Sequence, residues 1–413
     1  MILRLFILML LCGTAFGDIT DDVLDRVDDA LTTSQFDGNA NARVSGLLDL
    51  EGYHFSRPAP GLIDTADHNF FNPRLTLFLD GQIGPKIYLF LESRVDRGFD
   101  PGEHSAEIRL DEYAIRFTPW DDGRVNLQVG QFATMAAPWV ERHLSWQNAF
   151  IDAPLPYDNL TTASDTLAPA SPHAFLARRI TPATKYEYLP IIWGPDYSSG
   201  AALFGTYEKV DYAAEIKNTT LSARPQDWSA TQTGFSHPAF DAHLGYGPNE
   251  MWHFGLTASE GDYLDNAAAT SHAAYYPGYR IPPVTGDYRE WVLGQDASYA
   301  WHYLQIWAEC YEARFEIPHV GNANTLAYYI ELKYQLTAQL YAALRWNQQL
   351  FATVPTGYNT EFPWGHDLRR ADVALGYRFT AHTELKIEYS LQNGDSTGGG
   401  LESMVAAQFT VRF

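Results

Sequence analysis

Cysteine is almost missing from this chain. Only Cys12 and Cys310 occur. Cys12 falls in an apolar leader, so no intramolecular disulfide framework holds the fold. Cys310 reads as a small apolar residue on a strand. Basic residues are scarce, 28 Lys and Arg against 50 Asp and Glu. That balance excludes nucleic acid as a natural partner and offers no basic surface to anionic head groups. Long apolar runs are missing as well: beyond Leu5–Leu11, no stretch approaches the roughly 18 residues a membrane helix needs. The 13 histidines show no HExxH or similar spacing, so neither a metal nor another cofactor is expected.

What is present points another way. Residues 1–17 carry Arg4, an apolar run and Ala15-Phe16-Gly17, which together read as a signal peptide with cleavage before Asp18. Leu11 stands before Cys12 where a lipoprotein signal wants a small residue. Residues 18–41 read as a periplasmic tail or short helix, with Ile19, Val23, Val27 and Leu31 at helical spacing among aspartates. From residue 42 to 413 the pattern is strand, turn, strand. Met404 to Phe413 alternate without error, with Val405, Ala407, Phe409, Val411 and Phe413 on one face and Gln408, Thr410 and Arg412 on the other.

About sixteen such strands run from Ala42–Phe55 to Leu401–Phe413. The connections alternate between short, as at Gly84-Pro85, Glu208-Lys209 and Thr337-Ala338, and long, as at Ser56–Pro73, Met135–Tyr197 and Gly261–Arg289. Even strand number and two-sided loop asymmetry imply an all-β, transmembrane antiparallel β-barrel in an outer membrane. The aromatic content of 14% suits interfacial girdles, with Trp120, Trp252, Tyr299, Trp301, Tyr334 and Phe379 near the short turns. At Asp111-Glu112 the apolar parity shifts, which predicts a β-bulge.

Charged residues recur on the non-lipid face. The candidate pore-lining set is Asp80, Glu92, Arg94, Arg116, Glu331, Lys333, Arg345, Asp372, Arg378, Lys386 and Glu388; a water-filled lumen tolerates them where a dry core would not. The segment Met135–Tyr197, about sixty residues with eight prolines, is too long for an idle connection. Following the fifth strand, it is expected to fold inward as a constriction loop. Glu141, Asp152, Asp158 and Asp165, with Arg142, Arg178 and Arg179, would then set a transverse field across the lumen.

The stretch EIRLDEYAIRFTPWDDGRVNLQVGQFATMAAPW (Glu107 to Trp139) resembles the hairpin before the constriction loop of the phosphate-selective porin O and P family. WVLGQDASYAWHYLQIWAECYEARF (Trp291 to Phe315) resembles a later hairpin of that family, with Gly294 and Glu309 in place. The resemblance implies a sixteen-stranded, often homotrimeric diffusion channel. The family's phosphate selectivity rests on lysine- and arginine-dense lumen surfaces, which this acidic chain lacks.

The expected partners are outer-membrane lipid and lipopolysaccharide, small hydrophilic solutes, and the barrel assembly machinery through the last strand. The expected role is passive diffusion with mild cation preference and no enzymatic activity. The alternatives are a substrate-specific channel for a sugar or phosphate-like anion, with Trp139 and Trp146 as a stacking surface, and a hydrolase using Ser396 of a G-x-S-x-G match. Asp262 and Asp265 are the candidates for Ca²⁺ in an outer loop.

Overall fold

The computed structural model describes residues 24–26, 31–35, 39–63, 65–96, 107–224, 235–265, 268, 288–393 and 400–413. The leader and the G-x-S-x-G match lie outside them. The main sheet holds seventeen strands, sixteen of which make a closed antiparallel barrel. In chain order these are β1 (Ala40–Phe55), β2 (Asn69–Ile83), β3 (Ile87–Asp96), β4 (Glu107–Phe117), β5 (Asn126–Phe132), β6 (Ser198–Tyr207), β7 (Val210–Lys217) and β8 (Ala239–Asn249). They continue with β9 (Trp252–Asp262), β10 (Arg289–Trp301), β11 (Leu304–Ile317), β12 (Gly321–Gln335), β13 (Leu340–Phe351), β14 (Leu368–Arg378), β15 (Thr383–Asn393) and β16 (Leu401–Arg412).

Every strand pairs with its chain neighbour, and β16 closes on β1 from Met404 opposite Phe55 to Arg412 opposite Leu47. The seventeenth strand, Thr32–Gln35, continues the β16 row beside β1, with Thr32 opposite Arg43. The sequence predicts a tail or short helix over residues 18–41; here Thr32–Gln35 is a strand instead, and its pairing with β1 satisfies a stretch of edge that β16 is too short to reach.

The faces are inverted relative to a water-soluble protein. Outward positions are apolar and exposed, among them Leu79, Ile115, Val129, Leu256, Leu293, Ile330, Leu344 and Leu375, whereas Asp49, Glu51, Glu331, Arg345, Asp372 and Glu388 are buried inside. This is the pattern a lipid-facing wall requires. The short connections are true hairpin turns: Gly84, Glu208 and His302 take positive φ values of 60°, 55° and 51°, as tight turns between right-twisted strands demand. Aromatic rings band that end, with Trp252 4.5 Å from Tyr299 and 5.5 Å from Phe254 between centroids.

The parity shift in β4 is a bulge. Glu92 faces Glu112 and Ser93 faces Leu110, leaving Asp111 as the extra residue. Asp111 and Glu112 therefore both turn inward while Ile108, Ile115 and Phe117 remain exposed outside. In the connection between β13 and β14, read from sequence as loop, Thr353–Pro355 and Glu361–Pro363 form a small separate hairpin.

Candidate functional site

The interior is organised by one segment. β5 carries Gly130 at φ 146°, where a Cβ would stand 2.2 Å from the Tyr113 carbonyl oxygen; only glycine lets β4 and β5 pair so closely there. Beyond Phe132 the chain turns into the barrel and returns at Ser198. Its prolines permit only single turns of helix, at Pro138–Arg142, Leu155–Asp158, Pro172–Leu176 and Lys185–Glu187. Tyr157, Leu189, Ile191, Ile192 and Trp193 form a buried apolar cluster with Tyr311, Ala313, Ala327 and Tyr329 of the wall. The inward loop is therefore a packed plug against β11–β16, not a loose flap.

Charge holds it. Arg370 on β14 donates from Nη1 to Asp152 Oδ2 (2.9 Å) and Asp158 Oδ2 (3.1 Å) of the loop. Arg345 donates to Asp372 (2.8 Å) and to the Asp152 carbonyl (2.9 Å), with Phe150 stacked on its guanidinium at 4.2 Å. Glu388 accepts from the backbone N–H of Ile151 (2.6 Å) and Asp152 (3.0 Å). Lys386 Nζ donates to the carbonyls of Ser145 (2.6 Å) and Asn148 (3.2 Å). Arg142 donates from the loop to Glu331 at 2.6 Å and lies 4.4 Å over Trp307. Wall and loop charges here meet in direct contact rather than across water. Buried pairs of this kind hold position, because losing one partner strands the other.

Burial shifts the loop's own titratable groups. Asp152 is raised above the ordinary carboxylate range by desolvation, then by Asp158 beside it. Asp196 is pushed up to about 7, again chiefly by desolvation. His143 is lowered to about 4 by burial; its Nδ1 lies 2.5 Å from the Val140 carbonyl and its Nε2 3.0 Å from the Tyr197 hydroxyl.

The remaining candidates divide between wall networks and the part of the loop nearer the long connections. Asp80 accepts from Tyr88, Glu92 from Tyr197 at 3.4 Å, and Arg94 pairs with the bulged Asp111 at 2.8 Å. Lys333 lies 4.3 Å over Tyr341. Arg378 pairs with Glu384 at 3.4 Å and lies 4.8 Å over Trp146. Asp165 pairs with Arg224, Arg178 donates to the Thr162 carbonyl at 2.8 Å, and Arg179 is exposed and bonded within its own segment. Asp262 pairs with His237 at 3.0 Å.

Opposite the plug, toward the short turns, a cavity of about 770 Å³ remains. It is lined by Arg116 of β4, Glu141 and Arg142 of the loop, Asp211 of β7, His243 and His253 of β8 and β9, and Asp296 of β10, among others. Arg116 is steadied by Gln128 at 3.0 Å and stacks on Phe204 at 5.0 Å. Arg142 is already paired with Glu331, so Glu141, Asp211 and Asp296 give the chamber a negative wall. Glu141 is exposed to it.

No protein-family model matches the chain, and no curated protein sequence matches it. Solved structures do match. They include an anion-selective porin from Comamonas acidovorans (TM-score 0.56, 9% identity, 91% of this chain and 100% of that one). The outer-membrane channel DcaP of Acinetobacter baumannii matches with TM-score 0.54, 10% identity and 92% and 100% coverage. OmpF of Salmonella typhi, solved with daunomycin, gives the same four values. The fold is the porin fold. At these identities the likeness is one of fold alone.

Within this porin-fold barrel, sequence reasoning missed Arg370, whose neighbour Arg369 points outward; only the strand parity set by Asp372 distinguishes the two. It also missed Asp211, His243, His253 and Asp296, each unremarkable singly and brought together only by register. The substrate-specific alternative needs Trp139 and Trp146 as a stacking surface, and Trp139 is not open to a solute. That ring is buried 4.7 Å from Tyr157, because the loop's apolar cluster takes it.

Proposed function

We propose that this protein is an outer-membrane porin that passes small hydrophilic solutes by passive diffusion, with mild preference for cations, and catalyses no reaction. The observation that carries the reading is the inward loop. A segment of about sixty residues, pinned to one half of the wall by Arg370, Arg345, Lys386 and Glu388, leaves an acidic chamber on the other half. Such a plug narrows a barrel that would otherwise enclose a wide aqueous channel. Glu141, Asp211 and Asp296 concentrate cations at that narrowing.

Signal-directed export, residence among lipid and lipopolysaccharide, recognition of the last strand by the assembly machinery, and homotrimer formation belong to the same reading. The test is a planar bilayer under a salt gradient. A reversal potential of the sign given by cation flow supports the reading; a clear anion preference refutes its selectivity, and absence of conductance from folded barrels refutes the channel. Saturable block by one sugar would instead favour a substrate-specific channel. Hydrolysis lost on Ser396→Ala would favour an enzyme.

A further inference from the structure

Arg116 lines the chamber of about 770 Å³ without an acid beside it. Among the described residues no carboxylate stands within ion-pair distance of its guanidinium. Its one side-chain hydrogen bond there runs from Nε to Gln128 Oε1 at 3.0 Å. Its other neighbours are rings: Phe204 at 5.0 Å, Tyr88 at 5.5 Å and Phe90 at 5.7 Å from the guanidinium carbon. Glu112, the inward acid on the same strand, is taken by the Ala133 backbone N–H at 2.5 Å. Arg74, Arg94, Arg142, Arg345 and Arg370, by contrast, each hold a carboxylate at 2.6–2.9 Å. Arg116 is therefore a positive pole whose charge is left for a solute.

The negative pole lies further round the same chamber. Glu141, Asp211 and Asp296 line it, and among the described residues none of them pairs with lysine or arginine. The three stand within electrostatic reach of one another. His243 and His253 lie beside them, but three carboxylates outnumber two imidazoles in any protonation state, so this wall stays negative. Phe204 separates the poles. It is inward on β6, and Thr206, two residues on, lies opposite Asp211 of β7. Phe204 and Asp211 are thus diagonal neighbours about 7–8 Å apart. The Arg116 guanidinium reaches the Phe204 ring from the β4 side, which puts the two poles on the order of 10 Å apart.

We propose that the chamber binds peptides of two or three residues as zwitterions, with the terminal carboxylate on Arg116 and the terminal ammonium among Glu141, Asp211 and Asp296. An inorganic cation uses one pole and a phosphate-like anion the other, whereas a solute carrying both charges uses both. A neutral sugar gains from neither. In a single α-amino acid the two charged groups share one carbon and cannot reach both poles. Each further residue adds up to about 3.3–3.6 Å, so two or three residues span the gap once about 3 Å is allowed for the hydrogen bond at each end. Phe204, Met135 and Trp307 line the chamber between and beside the poles and offer apolar surface to the peptide's side chains. The chamber's volume lies in the range of small-molecule sites, with room for water around such a ligand. The peptide's passage through the barrel rests on the channel reading above, but its binding does not.

Trialanine and its end-blocked forms test this on the full-length folded barrel. Titration calorimetry gives saturable binding of trialanine, and blocking the amine by acetylation or the carboxylate as an amide weakens it about tenfold or more in each case. In Arg116→Gln the free peptide and its amide bind alike, while acetylation still weakens binding. In Glu141→Gln with Asp211→Asn the free and acetylated peptides bind alike, while the amide stays weaker. Asp122→Asn, in an exposed turn, binds as the parent does. In bilayers, trialanine reduces the parent current saturably and the doubly blocked peptide does not. Equal binding of free and doubly blocked trialanine by the parent overturns the site, and so does a preference for the free carboxylate that survives in folded Arg116→Gln. A barrel that binds trialanine but does not conduct keeps the site and refutes the channel; one that conducts but does not bind does the reverse. Heat-modifiable migration establishes that each variant is folded.

Discussion

Arg370 on the barrel wall and Asp152 on the inward loop lie 2.9 Å apart, both side chains almost wholly buried, although 218 residues separate them in the chain. The same guanidinium nitrogen holds Asp158, and Asp158 in turn accepts from the backbone N–H of Leu62 at 2.9 Å. One cation therefore ties the loop, the wall and the connection after β1 together. Its geometry fixes where the plug stands and so which half of the barrel stays open.

Arg370→Met is expected to free the loop. It leaves Asp152 and Asp158 buried without their shared cation, while Asp372 keeps Arg345, at a cost of about 3–5 kcal/mol. Single-channel recording should show larger and noisier conductance, and Asp152→Asn with Asp158→Asn in the same chain should restore quiet channels. Unchanged conductance from folded Arg370→Met would show that the plug is held by its apolar cluster alone.

Charge reversal at Glu141 should move selectivity. Glu141 projects into the chamber close to Asp211, and Glu141→Lys replaces one negative group of the constriction with a positive one. The reversal potential under a salt gradient should shift toward anions, more strongly at low ionic strength where screening is weak. A shift of opposite sign would place the selectivity elsewhere.

Acid should loosen the loop through His143. Its pKa is about 4 in the folded protein, lowered by burial, against an ordinary value near 6.5. Because the unfolded form binds the proton more readily, stability rises with pH across that interval. The contribution of neutral His143 is complete above about pH 6.5 and is lost as pH falls toward about 4. Protease nicking within residues 135–197 should increase over that window, and His143→Phe should flatten the dependence. A parent loop equally resistant at both ends of the window would count against it.

The seam between first and last strands makes a further test. Gly46 N–H donates to the Phe413 carbonyl at 2.8 Å, and Phe413 N–H to the Gly46 carbonyl at 3.1 Å. A Cβ at Gly46 would stand 2.6 Å from the Phe413 ring, so the ring lies on the bare glycine. Gly46→Val should displace the ring and lower the folded fraction, measured by heat-modifiable migration, as deletion of Phe413 should. Normal folded yields for both would remove Phe413 from assembly.

Much of this architecture was legible in the chain, because strand parity is local. The alternation at Met404 to Phe413 puts Gln408 and Thr410 inside, where they bond Glu51 and Asp49. The shift at Asp111-Glu112 announced the bulge for the same reason: an extra residue changes which side the next one faces. The inward direction of Glu331, Arg345, Asp372, Lys386 and Glu388 followed from counting by twos. What parity does not carry is what an inward side chain meets. Read singly, Arg345 and Lys386 looked like wall facing water; they lie beneath the loop, because a proline-rich segment with its own apolar cluster packs on that half of the wall.

The amino-acid sequence thus determined an all-β chain with apolar side chains outside, charge inside, short turns at one end and one long segment after the fifth strand. Those properties depend on residues two positions apart or on the length of a connection. Only the tertiary structure decided where that segment lies, that Arg370 anchors it, and that Asp211, His243, His253 and Asp296 from four strands share one chamber wall. Those relations depend on strand register around a closed sheet and on contacts across the lumen, which no local periodicity encodes.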